Sequence, residues 1–184
     1  NLGREAKVPP GNWGKIIHEH DFMWLASWVD VLTDKRKYVW LSDTSDLKQE
    51  RDKMKYDKAT KLAAEIDKVL GMVIKKMSDR DEKVRRVATV CYLIYKTAMR
   101  VGDEKDLNEA DTVGATTLRV EHINLKPGIV EFDFLGKDSV RWQKPLPVSE
   151  QDKMLYEKLK KLTEKKKKDD LIFDGITSRH VNEF

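Results

Sequence analysis

The chain has 184 residues, enough for one ordinary domain, or for one domain with a smaller appendage. Hydrophobic residues make up 40%, which allows a packed core, while charged residues reach 37%, well above the usual share. With 36 Lys and Arg against 32 Asp and Glu the net charge is only +4. That excess permits nucleic-acid binding if the positive charge gathers on one face, but does not demand it. A single cysteine, Cys91, excludes an internal disulfide framework and fits a reducing compartment. Its place in an apolar helical pattern reads as a small buried hydrophobe, with a reactive thiol as the other reading. No apolar run approaches the length of a membrane span, and no signal peptide is visible. Starting at Asn1 and stopping at Phe184, the chain reads as cut from something longer. Sparse Asn and Gln beside abundant Lys and Glu hint at a heat-adapted source.

Residues 1–21 are predicted to be irregular, with the Pro-Pro-Gly punctuation of a loop at Pro9-Pro10-Gly11. Two strand-like runs follow, Phe22–Trp28 and Lys37–Ser42, with a polar turn around Thr33-Asp34-Lys35. Trp24, Trp28 and Trp40 can be read as core aromatics or as platforms for stacking bases. A long helix is expected over about Lys53–Met77, where Leu62, Ile66, Val69, Leu70 and Val73 repeat at helical spacing. A second is expected over about Asp81–Met99, capped by Asp79 with Glu82 and ended by Gly102. Val84, Val87, Ala88, Cys91, Ile94 and Ala98 form its apolar stripe, widened by Val90 and Leu93, so it should be nearly enclosed. Three strands are predicted at Thr116–Leu125, Gly128–Gly136 and Ser139–Pro147. A last amphipathic helix follows at about Ser149–Leu162, running into the lysine-rich segment 164–170. That segment reads as solvated and mobile, with a DNA-binding tail as the alternative. No internal repeat is present. The fold class is α+β, a mostly helical core with a small antiparallel sheet and hairpin in separate blocks. The domain reading is an N-terminal loop with short strands at 1–50, linking into a partial catalytic core at 51–184.

Two cations stand out. Arg100 lies at the end of the second helix, where an arginine is costly to desolvate unless an anion meets it. Its planar fork suits phosphate oxygens and stays charged at any working pH. The competing reading is a salt bridge to Glu104 or Asp111, or a favourable contact with the helix C-terminus. Lys137 lies at a hairpin tip, Leu135-Gly136-Lys137-Asp138, where a lysine is usually an exposed, solubilising charge.

The segment from Thr97 to Leu125 contains Ala98-Met99-Arg100-Val101-Gly102, a Glu104-Lys105 pair, Ala110-Asp111-Thr112-Val113-Gly114 and Leu118-Arg119-Val120-Glu121-His122-Ile123-Asn124-Leu125. It is followed by Phe134-Leu135-Gly136-Lys137-Asp138-Ser139. In that order these motifs resemble the core of the type IB DNA topoisomerases of the eukaryotic type. Upstream, "WLASW", "KYVWL" and "KYDKATKL" resemble the preceding part of the same core, so the resemblance covers nearly the whole chain. It implies the fold of the type IB topoisomerase and tyrosine recombinase catalytic domain, incomplete here.

The resemblance also implies an activity. The family nicks one strand of duplex DNA through a covalent 3′-phosphotyrosine, lets the free end rotate and reseals it, without ATP, metal or other cofactor. Arg100 matches the first catalytic arginine, which would hold non-bridging oxygens of the scissile phosphate as charge builds. Lys137 matches the hairpin lysine, which would reach the minor groove and protonate the leaving 5′ oxygen. Lys105, the backbone at Gly102, and Lys48 resemble positions that approach DNA. Asp138 matches the aspartate beside the catalytic lysine, bordering the pocket of camptothecin-type poisons; its plainer reading is a turn residue.

The family's site has five parts: two arginines, a lysine, a histidine and a tyrosine nucleophile. Only Arg100 and Lys137 have counterparts. The closing stretch from Asp174 to Phe184 resembles the start of the helix leading to the second arginine, and His180 is not the catalytic histidine. None of Tyr38, Tyr56, Tyr92, Tyr95 and Tyr156 lies in anything like the nucleophile motif. The expectation is therefore part of a larger enzyme, inactive alone. Its partners would be double-stranded DNA and the rest of the same enzyme, namely an N-terminal clamp and a C-terminal tyrosine domain. A monomer without membrane attachment is expected, in the nucleus if eukaryotic or the cytoplasm and nucleoid if archaeal; the short connection in "NLKPGIVEF" admits the archaeal option. The alternatives are a non-catalytic DNA-binding module and a tyrosine recombinase.

Overall fold

A computed structural model describes residues 1–102 and 113–184 and, at Asp138, the backbone alone. The described chain is α+β and divides into two compact units, Asn1–Glu65 and Ile66–Phe184.

The first unit holds an antiparallel ribbon of β1 (Trp24–Val29) and β2 (Arg36–Trp40), with Trp24 opposite Trp40 and Val29 opposite Arg36. The turn is pinned by Asp30, whose N–H donates to the Lys35 carbonyl at 2.9 Å and whose carboxylate accepts from the Thr33 hydroxyl at 2.6 Å. No residue of 1–65 is fully buried. The core reading of the tryptophans therefore fails at Trp28 and Trp40, which are 49% and 61% exposed. A two-stranded ribbon has no second layer to cover both faces. Phe22, Trp24, Tyr38 and Trp40 instead line up ring against ring at centroid spacings of 5.3, 6.1 and 5.2 Å. Helix α1 (Asp46–Lys76) starts earlier than its apolar repeat predicts, because Asp46 suits a first turn and the following charged residues are good helix formers.

The second unit holds the core. Helix α2 (Glu82–Thr97) is nearly enclosed, as its stripe implies, with Val87, Ala88, Val90, Tyr92 and Leu93 buried. Its cap is Asp81 rather than Asp79, since the Asp81 carboxylate accepts from the N–H groups of Lys83 and Val84. It ends at Ala98, in the left-handed region at φ 56°, before Gly102 is reached. The Ala98 N–H donates to the Ile94 carbonyl at 2.7 Å, and the Lys144 ammonium donates to the Thr97 carbonyl at 3.0 Å. Cys91 is half-buried, and burial pushes its thiol above the ordinary value, as packing rather than reactivity requires.

One three-stranded antiparallel sheet packs on this helical core, in the order β3 (Ile123–Lys126), β4 (Ile129–Leu135), β5 (Arg141–Pro147). Val130, Phe132 and Phe134 alternate inward along β4 while Asp133 and Leu135 face out. The strand predicted from Thr116 begins only at Ile123. Residues 118–122 instead run beside 168–172, with Ile172 N–H donating to the Leu118 carbonyl at 2.8 Å and Glu121 N–H to the Lys168 carbonyl at 2.8 Å. Helix α3 (Lys153–Thr163) follows a 3-10 turn at Glu150–Asp152, and α4 (Ser178–Glu183) closes the described chain. The segment 164–170 is not a free tail: Lys166 donates to the carbonyls of Leu171 at 2.7 Å and Ile172 at 3.1 Å and pairs with Asp174.

Inside this unit Asp152, only 2% exposed, accepts from Ser149 Oγ at 2.5 Å and Tyr92 Oη at 3.1 Å and pairs with Lys96 at 3.0 Å. Burial alone would raise its pKa, but hydrogen bonds from Ser149, Lys96 and Tyr92 outweigh it and hold the carboxyl below the usual carboxylate range. A depressed folded-state pKa gives stability that is present above the unfolded pKa of about 3.9 and lost as pH falls through the folded value. Asp152→Asn should lower unfolding free energy by about 2–4 kcal/mol at neutral pH. It should also flatten the loss of stability below about pH 4. Urea unfolding across pH checks both, and superimposable wild-type and variant profiles would contradict them.

Candidate active site

The hairpin carrying Lys137 is built by sheet register. Leu135 pairs with Arg141, and Gly136 N–H donates to the Val140 carbonyl at 2.8 Å, closing a loop whose tip is the 3-10 turn Lys137–Ser139. The arms are stiffened by Trp142, stacked on Phe134 at 4.9 Å and edge-on to Phe132 at 6.0 Å. On the outer face, Asp133 takes two hydrogen bonds from Arg141 and one from Gln143. These contacts, Arg141 first, pull the Asp133 carboxyl down to about 2.

Arg100 is held by its backbone. Its carbonyl accepts from Ala115 N–H at 2.8 Å, and the Val101 carbonyl accepts from Thr116 N–H at 2.8 Å. Val113 N–H in turn donates to the Leu135 carbonyl at 2.9 Å, at the root of the hairpin. The segment 113–117 is thus a clip between the end of α2 and the base of the Lys137 turn.

The clip works because two glycines touch. Gly102 adopts φ +84°, and a Cβ there would lie 2.9 Å from Gly114 Cα and 3.0 Å from Thr117 Oγ1. A Cβ on Gly114 would run into Gly102 Cα and come within 2.9 Å of the Arg100 carbonyl oxygen. Thr116 Oγ1 donates to the Gly102 carbonyl at 2.9 Å, and Gly114 N–H donates to Thr117 Oγ1 at 3.0 Å.

As a result Arg100 and Lys137 line the same cavity, of about 240 Å³, together with Met99, Val113, Phe134 and Trp142. Both cations are exposed, so the desolvation cost expected for Arg100 does not arise. Apolar side chains and two cations on one lining could hold a single anionic group, with the arginine fork and the lysine ammonium coming from different elements.

The other expected residues lie apart or outside view. Lys48, on α1 in the first unit, pairs with Asp52 at 3.2 Å. Lys105, Glu104 and Asp111 lie outside the described residues, as does the Asp138 side chain. His180 caps α4, its Nδ1 accepting from Thr177 N–H at 3.1 Å, as befits a structural residue. Tyr92 is buried and bound to Asp152, and burial and Asp152 push its phenol up to about 12, as befits a structural residue. Sequence reading passed over Gly114 and Lys144. Gly114 carries a signal, a glycine inside an ordered motif, whereas nothing local marks Lys144 as the partner of the α2 terminus. Among the described residues no group of His, Cys, Asp and Glu could hold a metal ion, and no helix is long and apolar enough to cross a membrane.

Residues 44–184 match the family model for the catalytic core of eukaryotic DNA topoisomerase I, and residues 1–41 match the model for its DNA binding fragment. DNA topoisomerase 1 of Drosophila melanogaster is 38% identical over 193 residues, covering 100% of this chain and 20% of the fly protein. That of Homo sapiens is 38% identical over 198 residues, covering 100% of this chain and 26% of the human protein. DNA topoisomerase 1 beta of Arabidopsis thaliana is 38% identical over 189 residues, covering 99% and 20%. The chain thus spans about a quarter or less of the length of these relatives. All three come from eukaryotes, which leaves the archaeal option without support.

The glycine contact can be tested by itself. Gly114→Ala should cost about 1–3 kcal/mol of unfolding free energy, because the new methyl has backbone in its way. Gly128→Ala, at φ +78° but with open space around it, should cost only the left-handed strain, about 1–2 kcal/mol. Urea unfolding of the two variants compares them, and a Gly114→Ala variant as stable as wild type would remove the close contact from the account.

Proposed function

Since the chain belongs to the eukaryotic DNA topoisomerase I family, we propose that it supplies two of the charged groups that cut and reseal one strand of duplex DNA. The reaction relaxes supercoils by forming a 3′-phosphotyrosine, allowing strand rotation, and rejoining. The observation that carries this reading is the meeting of Arg100 and Lys137 on one cavity.

In the cleavage step a tyrosine oxygen attacks the scissile phosphorus as the bond to the 5′ oxygen breaks. Negative charge grows on the non-bridging oxygens, and the Arg100 guanidinium offers a permanent bidentate cation for them. The departing 5′ oxygen needs a proton, which the Lys137 ammonium can give and, on resealing, take back. A guanidinium cannot exchange roles with it, since arginine holds its proton throughout. The scheme draws on neither ATP nor a metal. The nucleophilic tyrosine, the second arginine and the histidine would lie outside these 184 residues, so the chain alone should not cleave DNA.

DNA contacts by Lys48, Lys105, the Gly102 backbone and Asp138 belong to the same proposal. So do the division into a linking segment at 1–50 and a partial catalytic core at 51–184, a monomeric complete enzyme and a nuclear location. Binding would rest on phosphate contacts with little base readout, as an enzyme acting at many sites requires.

In the full-length protein, Arg100→Ala and Lys137→Ala should each slow plasmid relaxation by about 10²–10⁴-fold. Duplex affinity, read by fluorescence anisotropy, should change far less. Near-normal relaxation by either variant would remove that residue from the chemistry. Wild-type affinity should also fall steeply between about 50 and 200 mM salt, and a salt-insensitive complex would contradict phosphate-led binding.

A further inference from the structure

A second concave site lies in the Ile66–Phe184 unit, between the N-terminal half of α2 and the end of α3. It encloses about 350 Å³ and is lined by Arg85, Arg86, Lys158, Lys161, Lys165 and Lys166, with only Glu82 and Glu164 to offset them. It shares no lining residue with the Arg100–Lys137 cavity.

Two of these cations are already neutralised. Arg86 pairs with Glu82 at 2.5 Å and Asp174 at 3.1 Å, and Lys166 pairs with Asp174. The rest are not. Arg85 spends its hydrogen bonds on two neutral groups, the carbonyls of Asp79 at 2.8 Å and Arg80 at 2.7 Å. Those bonds fix the guanidinium without cancelling its charge. Among the described residues no carboxylate pairs with Lys158, Lys161 or Lys165. Lys158 is half-buried, and burial, then Arg85 and Lys161, pull its ammonium below the ordinary lysine value. Like charges converge in a hollow at a cost that a multivalent anion would relieve.

We propose that this cleft binds a small ligand bearing two or more phosphate groups. A phosphate group brings close to two negative charges and three strong acceptor oxygens, which fits a pre-set arginine fork flanked by flexible lysines. The volume sits at the small end of ligand sites, about 300–1,000 Å³, and suits a compact anion better than a rod. Glu164, an exposed acid of the same lining, opposes any anion that enters.

Inorganic tripolyphosphate is the probe, titrated calorimetrically into the full chain and three variants. Lys158→Gln/Lys161→Gln removes both charges while leaving polar side chains, and should weaken tripolyphosphate binding at least tenfold while changing duplex affinity less than twofold. Glu164→Gln removes that acid and should tighten tripolyphosphate binding severalfold, a gain that misfolding could not mimic. Arg100→Ala should keep the tripolyphosphate binding that the Lys158/Lys161 double variant loses, separating this cleft from the proposed catalytic cavity. Equal binding by the double variant and wild type would overturn the proposal. So would an unchanged affinity in Glu164→Gln, or a double variant that loses duplex affinity more than tripolyphosphate affinity, which would assign the cleft to a nucleic-acid backbone.

Discussion

The contact between Gly102 and Gly114 sets the geometry on which the candidate chemistry depends. Backbone meets backbone there with no room for a methyl group on either side. That closeness lets the carbonyls of Arg100 and Val101 take hydrogen bonds from Ala115 and Thr116. The same short segment reaches the root of the hairpin through Val113 and Leu135. Arg100 and Lys137 are therefore not two surface charges that happen to be near. The backbone of Arg100 is fixed directly to this strip of chain, and the turn carrying Lys137 is fixed to it two residues away, at Leu135. An active site for phosphoryl transfer needs that combination, since small errors in placement cost large factors in rate.

The surrounding fold supplies stiffness to both ends of the clip. Helix α2 is enclosed by apolar contacts, and its last turn is finished by the left-handed Ala98 and by Lys144 reaching from β5. The ammonium of Lys144 suits a helix C-terminus, where unpaired carbonyls carry partial negative charge. β4 and β5 are locked by aromatic stacking within and by the Asp133–Arg141 pair without. The helix end and the hairpin are thereby tied at two places, through the clip and through Lys144.

Much of the fold could be read in the residues. The apolar stripe of α2 foretold a buried helix, and the strand predicted at Gly128–Gly136 holds as β4. What could not be read was tertiary. The helix ends at a left-handed Ala98, where Lys144, distant in sequence, meets the Thr97 carbonyl, whereas Gly102 was the obvious local stop signal. The lysine run at 164–170 reads as solvated, yet Lys166 is bound by the carbonyls of a neighbouring turn. Trp28 and Trp40 have core composition but lie on a ribbon with too few layers to cover them. For the site, charge and position alone left Arg100 and Lys137 ambiguous with ordinary surface cations. The order of motifs around them raised both to candidates. Gly114 was in plain view within that motif, but its reason, a backbone collision with Gly102, exists only in three dimensions.

In the proposed reaction Arg100 and Lys137 serve one phosphate in different ways, one by holding charge and the other by giving a proton. Sulfur in place of the 5′ bridging oxygen separates these roles, because a thiolate with a pKa of about 8.5 leaves without needing a proton. Cleavage of such a DNA strand by the full-length protein and its variants is the direct measurement. Lys137→Ala should regain most of its cleavage rate on the sulfur substrate, while Arg100→Ala stays slow. Equal rescue of both variants, or of neither, would contradict that division of labour.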